Sequence, residues 1–357
     1  MNKKTFALVV MWLWAGWQFA TAQNADSTIL NRIQDISSDM FRDPLTAKDE
    51  FLKLKKDFPN ASELNKGRIC QNLATTYGMT NNLDSAFYFA NEALQHFPDT
   101  SWDKASLLKM IAILHRIKGN YQDAEIALKK SLALNESNSR EPVLMAATLQ
   151  EYGALCLDQH FYFKATTLFL KALDIVSAPE VIGKDGRFTA VKLRANLAEA
   201  YLASGNYPFA IREFTKALPE LAVFKDDEGL LRGGVQLADA FILNGNYDSA
   251  DSLLDQLMPI AIKLQNDELR SYVLLKQGDS KAARGLFKKA LPLHRNSFEL
   301  LNALNSPALL ECVNSYLITL GKTGNSGEAK NIMSLPNVKS AVADGQPAYR
   351  LKYKKTE

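Results

Sequence analysis

The sequence predicts an all-α protein, an α-solenoid of stacked antiparallel helix pairs with seven or eight helical hairpins. Three observations carry this. The hexad Gly-Asn-Tyr-x-x-Ala occurs three times, from Gly119, Gly205 and Gly245, each time ahead of a helical run. Aligning on its last residue gives the series Ala86, Ala124, Ala165, Ala210, Ala250, Ala283 and Ala329, with Ala47 as a weaker first member. The intervals of 39, 38, 41, 45, 40, 33 and 46 residues describe a period near 40 with loops of variable length, the mark of a repeat array rather than of separate domains. Around each alanine, small and bulky apolar residues return at spacings of 3, 4 and 7, which is one face of an α-helix.

From the N-terminus, residues 1–22 read as a signal peptide. Lys3 and Lys4 form a basic start, Phe6–Ala20 an apolar run, and Ala20-Thr21-Ala22 a small-x-small cleavage site. Cleavage falls between Ala22 and Gln23, which predicts an exported, periplasmic or secreted product with no stable membrane insertion. Retention of the run as an anchor is the alternative. No cysteine follows it, so a lipoprotein anchor is not supported. The repeat array is assigned to 23–337. The last segment, 338–357, is a basic tail with Arg350, Lys352, Lys354 and Lys355; it reads as a solvated terminus or as a docking strand.

Within the array each position has a packing reason. Four residues after the alanine stands a bulky apolar residue: Phe51, Leu128, Phe169, Phe214, Leu254 and Phe287. Seven after it stands a small one: Ala93, Ser131, Ala172, Ala217 and Ala290. Twelve before it another small residue recurs at Ala74, Ala112, Gly153, Ala198 and Ala238, letting two helices approach closely. Three before it come Leu83, Tyr121, Tyr162, Tyr207 and Tyr247, opening the second helix and sealing the hairpin. Gly119, Gly205 and Gly245 close the first helix in the left-handed conformation, and the Asn beside each is expected to satisfy free backbone groups. The unit at Ala283 is weakened by Ser271 and Ser280, and Leu257 replaces the last small residue in the unit before it. The last unit, near Gly324, has a short second helix stopped by Pro336.

The clearest unit, Gly67–Asp99, carries Leu73-Ala74, Tyr77, Leu83, Ala86, Ala90, Ala93 and Pro98. In this it resembles the tetratricopeptide repeat family, of bacterial type, although the early Trp usual in that family is missing. The resemblance implies a concave surface lined by first-helix residues that binds a protein or peptide partner. On that geometry the lining is Arg68, Gln71, Asn72 and Thr75; Lys109, Ile113 and Arg116; Gln150 and Glu151; Lys192, Asn196 and Glu199; and Arg232, Gln236 and Asp239. The bulky Ile113, Leu157, Leu202 and Ile242 either receive an apolar ligand or fill seams between helices. The carboxylate clamp of the family's chaperone-binding members is not matched, since only Asn72 and Lys192 fit it. The implied function is a non-catalytic, exported interaction scaffold. A sensor related to bacterial signalling regulators, without their transmembrane and DNA-binding segments, is the alternative.

Charge and chemistry agree with a binding protein. Without residues 1–22, which hold two lysines and no acid, 40 basic residues face 39 acidic ones. That balance gives no electrostatic grip on nucleic acid. Cys70, Cys156 and Cys312 are odd in number, far apart and in apolar stretches, so buried free thiols are expected rather than disulfides. His96, His115, His160 and His294 show no His-x-x-x-His spacing, so neither a metal nor a cofactor is expected. No nucleophile-elbow, zinc-protease, dinucleotide or P-loop motif occurs. The acidic run Asp226-Asp227-Glu228 reads as a helix start, where carboxylates suit the dipole.

Overall fold

The computed structural model describes residues 26–40, 42–138, 141–178, 181, 184–306 and 308–343. The cleavage site at Ala22-Gln23 and Arg350, Lys352, Lys354 and Lys355 of the tail lie outside them. Every regular element among the described residues is an α-helix. In order these are α1 (26–39), α2 (Pro44–Asp57), α3 (Glu63–Met79), α4 (Leu83–His96), α5 (Trp102–Ile117) and α6 (Tyr121–Asn138). There follow α7 (Pro142–Asp158), α8 (Tyr162–Ser177), α9 (Lys184–Ala203), α10 (Tyr207–Val223), α11 (Asp227–Leu243) and α12 (Tyr247–Lys263). The chain ends with α13 (Asp267–Ala283), α14 (Phe287–Ala303), α15 (Leu309–Thr323), α16 (Ser326–Ser334) and α17 (Pro336–Ala343). None of them is long and apolar enough to cross a membrane.

Two compact units result: Met1–Phe161 with Asp174–Val181, and Tyr162–Leu173 with Ile182–Glu357. In the first, α3 packs on α4 and α5 on α6, and the odd helices α3, α5 and α7 touch in succession. In the second, α9 packs on α10, α11 on α12 and α13 on α14, and α9, α11, α13 and α15 touch in succession. This is the fold the periodicity predicts.

The repeat positions form the core. Ala86, Ala124, Ala165, Ala210 and Ala250 are wholly buried, as are Phe51, Phe169, Phe214 and Leu254 four residues after their anchors. Each large side chain stabilises by about 1.5–3 kcal/mol on burial. The small residues beside them leave room for a neighbouring helix.

One unit has a different register. Ala283 is the last residue of α13 and only partly buried. The residue fourth in the next helix is Ala290, wholly buried, behind the left-handed turn at Gly285 (φ 75°). With Ala290 in the series, the intervals on either side become 40 and 39 residues. Leu286-Phe287 stands where Asn-Tyr follows Gly119, Gly205 and Gly245, and this hides the repeat. In the corrected register Gly278 takes the small position twelve residues before the anchor. His294 takes the bulky position, and Ser297 the small one after it.

Burial of His294 depends on Gly278. A Cβ on Gly278 would stand 2.2 Å from His294 Cδ2 and 2.4 Å from Nε2. The ring is itself wholly buried, so it has nowhere to retreat. Gly278→Ala is therefore expected to cost about 1–3 kcal/mol as an overpacking change, read as a lower urea midpoint with an unchanged slope.

The Gly-Asn turns work through the backbone. Gly119, Gly205 and Gly245 have φ of 80, 80 and 82°. The following Asn N–H donates back five residues, from Asn206 to Tyr201 O and from Asn246 to Phe241 O, both at 2.8 Å. The same Asn carbonyls accept the first bond of the next helix, from Ala210 N and Ala250 N. This is the Schellman closure of one helix joined directly to the start of another. The expected side-chain role of Asn is not seen at Asn206 or Asn246, which make no side-chain cap. Asn82 does cap, accepting from Ser85 N.

From α10 to α14 every helix has 17 residues, and three-residue turns join them. The left-handed residue of each turn, in order, is Lys225, Gly245, Gln265 and Gly285, with Gly205 before and Asn305 after. At the C-terminal end Pro336 both follows α16 and occupies the first position of α17, where its missing N–H costs nothing. Helix α17 runs on to Ala343, so helical structure continues past the boundary at residue 338 that the sequence suggests.

Candidate functional site

The sequence-derived lining residues sit on the odd helices, and in the first unit they form a ladder between them. Arg68 on α3 reaches α5, donating through Nε to Asp103 Oδ1 at 3.0 Å and lying 5.7 Å from the Trp102 ring centre. Gln71 donates to Ser106 Oγ at 3.2 Å. The Thr75 hydroxyl contacts Met110 Sδ at 3.2 Å and donates to the Gln71 carbonyl. Asn72 faces the other way, accepting from Ser37 Oγ of α1 at 3.2 Å and donating to the Arg68 carbonyl. These four are engaged with neighbouring helices and support the array itself.

The next rungs are less settled. Arg116 on α5 pairs with Asp158 Oδ2 at 2.9 Å and stands 3.9 Å from Glu151 Oε2, both on α7. Its buried Nε has no hydrogen-bond partner. Lys109 and Glu151 attract each other without a direct ion pair. Burial pulls the Lys109 ammonium below the ordinary lysine range, with Glu151 opposing. Burial also raises the Glu151 carboxyl, against the pull of Arg116 and Lys109. Gln150, half-buried on α7, makes no side-chain hydrogen bond among the described residues. Ile113 is half-buried on α5.

In the second unit Lys192 is exposed, with Nζ 4.3 Å from the Phe188 ring centre. Glu199 is exposed as well, and Asn196 is half-buried with no hydrogen bond among the described residues. Arg232 is tied to Glu228 one turn earlier, at 2.9 Å. Gln236 is half-buried and, among the described residues, without a hydrogen bond. Asp239 differs from the others: it is 8% exposed and accepts from Lys276 Nζ at 3.1 Å. Of the bulky candidates, Ile242 belongs to the core between α11, α12 and α13, while Leu157 and Leu202 are half-buried.

Lys276 is the largest omission of the sequence reading. Its Nζ lies 3.1 Å from Asp239, 2.8 Å from Glu311 and 3.5 Å from Asp279, gathering carboxylates from α11, α13 and α15. Burial works to lower its pKa, and the three carboxylates overcome that and raise it well above the ordinary range. Burial would raise the Asp279 carboxyl, but the neighbouring His294 ring and Lys276 hold it at about 2. His294 Nε2 is 3.3 Å from Asp279 Oδ1 in an alignment that makes no hydrogen bond, while its Nδ1 is 2.9 Å from Thr319 Oγ1. The misplaced unit at Ala283 hid this cluster, because it put α13 out of step with the helices beside it.

The acidic run behaves as a helix start. Asp226 caps α11 by accepting from Gly229 N at 2.9 Å, Asp227 pairs with Lys263, and Glu228 with Arg232. The three cysteines are buried, and none is in a disulfide among the described residues.

Residues 193–230, covering most of α9, all of α10 and the start of α11, match the tetratricopeptide repeat family. No curated protein sequence matches the chain. Solved structures share the fold at low identity. One is a Signal Transduction ATPase with Numerous Domains protein with a tetratricopeptide repeat sensor, from Pyrococcus horikoshii. It is 15% identical with a TM-score of 0.69, over 90% of this chain and 49% of that one. A Rap protein complexed with Competence and Sporulation Factor is similar at 15% identity and TM-score 0.58, over 85% of this chain and 88% of that one. NprR in complex with its cognate peptide NprX is similar at 15% identity and TM-score 0.56, over 78% of each chain. At this identity the likeness is one of fold: the chain is a tetratricopeptide-repeat-like α-solenoid.

Proposed function

We propose that the protein is an exported, non-catalytic binding scaffold that takes an extended peptide, or a peptide-like segment of a protein partner, on the faces that the odd helices form within its units. The observation that carries this is the set of half-buried side chains there that make no hydrogen bond among the described residues: Lys109 and Gln150 in the first unit, Asn196 and Gln236 in the second. An amide side chain offers a donor and an acceptor together, which suits a peptide main chain of any sequence. A half-buried ammonium suits a carboxylate. Such groups add little to stability, because folding has not used their bonding capacity, and they keep it for a ligand.

NprR is a protein of this fold in complex with a peptide, and this favours a regulatory variant of the reading, in which peptide occupancy is the signal. The signal-peptide pattern at residues 1–22 supports export. Edman sequencing of the product from an exporting host is expected to begin at Gln23, and a start at Met1 would refute cleavage.

Selection of a random peptide library on the purified protein tests the binding claim. Enriched peptides are expected to lose about tenfold in affinity in Lys109→Ala or Asn196→Ala, with melting points unchanged. Equal affinity for the wild type and a Lys109→Ala/Gln150→Ala/Asn196→Ala/Gln236→Ala variant would overturn it.

A further inference from the structure

We propose that Cys70, Glu92 and His96 form a binding site for one divalent transition-metal ion of the zinc type, in the first unit between α3 and α4. The set contains a single histidine, so no His-x-x-x-His spacing announces it. Glu92 and His96 stand four residues apart on α4 and so share a face of the helix. Cys70 comes from the middle of α3, packed against it. The Cys70 sulfur, a Glu92 carboxylate oxygen and a His96 ring nitrogen all lie within 4.8 Å of one another. Tetrahedral zinc, with bonds of about 2.0–2.3 Å, holds its ligand atoms roughly 3.3–3.8 Å apart. Closing that difference takes small side-chain rotations.

Two further features fit a cation. Glu92 Oε1 is paired with Lys55, while Glu92 Oε2 is buried without a hydrogen-bond partner. A buried carboxylate oxygen with no donor is rare in native proteins, and a metal ion would satisfy it. His96 Nδ1 stands 2.6 Å from Glu63 Oε2. A carboxylate on one ring nitrogen fixes the tautomer and leaves the lone pair on the other, the usual outer support of a histidine that ligates metal.

The donor set selects the ion. Sulfur with imidazole excludes calcium and magnesium, which take oxygen ligands. One thiolate, one imidazole and one carboxylate suit zinc, and three protein ligands leave a fourth position for water. A thiol ligates as the thiolate, so binding displaces its proton: the Cys70 S–H bond breaks, the sulfur–metal bond forms and one proton passes to solvent. Affinity should fall as pH falls.

The test is zinc content of the untagged full-length protein after equilibration with zinc chloride and desalting. One zinc per chain is expected for the wild type and for Cys156→Ser and Cys312→Ser, with background levels in Cys70→Ser and His96→Gln. Cobalt(II) in place of zinc should give a thiolate charge-transfer band that Cys70→Ser lacks. Zinc should also raise the melting point of the wild type and leave that of His96→Gln unchanged. His96 lies at the end of its helix, so this variant keeps the test decisive if Cys70→Ser fails to fold. A wild type with no more zinc than His96→Gln, or a cobalt band retained in Cys70→Ser, would overturn the proposal.

Discussion

Lys276→Met is expected to lower the stability of the second unit by about 3–5 kcal/mol at neutral pH, the scale of breaking a buried ion pair from one side. The methionine fills a similar volume, so the loss is electrostatic. Asp239, Asp279 and Glu311 would be left around a neutral side chain, two of them less than 10% exposed. Two controls separate this from a packing defect. Lys276→Met/Asp279→Asn should recover part of the loss, since one stranded charge is removed. The pH dependence should also have a definite sign. In the wild type Asp279 is held at about 2, below its ordinary 3.8. Its contribution to stability is full above 3.8 and is lost as pH falls through about 2. In Lys276→Met, protonation relieves the unpaired carboxylates, so the gap to the wild type should narrow in acid. Urea unfolding at neutral pH and near pH 4 reads both effects, and a gap that widens in acid would refute the account.

Ala210→Trp should be comparably severe. Ala210 is wholly buried at the anchor of α10, and an indole there must push a helix aside at a cost of about 3 kcal/mol. That corresponds to a fall in melting temperature of roughly 6–12 °C. The same substitution distinguishes the two registers of the later unit. Ala290→Trp should match Ala210→Trp, whereas Ala283→Trp, at a partly buried position, should cost much less. Equal losses at Ala283 and Ala290 would contradict the corrected register.

The hairpins were legible because packing between helices restricts residue size. Ala210 and Phe214 follow from volume, and volume shows in residue type. Gly205 was legible because its φ of 80° excludes most side chains. The register at Ala290 was not, because His294 stands where five other units have Phe51, Leu128, Phe169, Phe214 and Leu254. The histidine fits beside Gly278 and meets Asp279 and Thr319, and no periodicity points to those two partners. The candidate face was legible as positions and not as roles. Arg68 and Asn72 look as available as Lys109 in the sequence. Only the partners across the repeat, Asp103 and Ser37, show that they are occupied. The set at Cys70 was hidden for the same reason, since ligands on two helices leave no spacing to read.

The equal helices and turns from α10 to α14 separate two kinds of information that most folds combine. Turns every 20 residues, with helices of one length, make each hairpin an interchangeable part, acceptable to the backbone beside any other. Steric fit alone therefore does not specify the order in which hairpins follow one another. Side-chain pairs that occur once do specify it: Lys276 recognises Asp239 on the hairpin before it and Glu311 on the hairpin after it. The cluster acts as an address within a uniform array, and marks which neighbours a hairpin can accept when such arrays are lengthened, shortened or recombined.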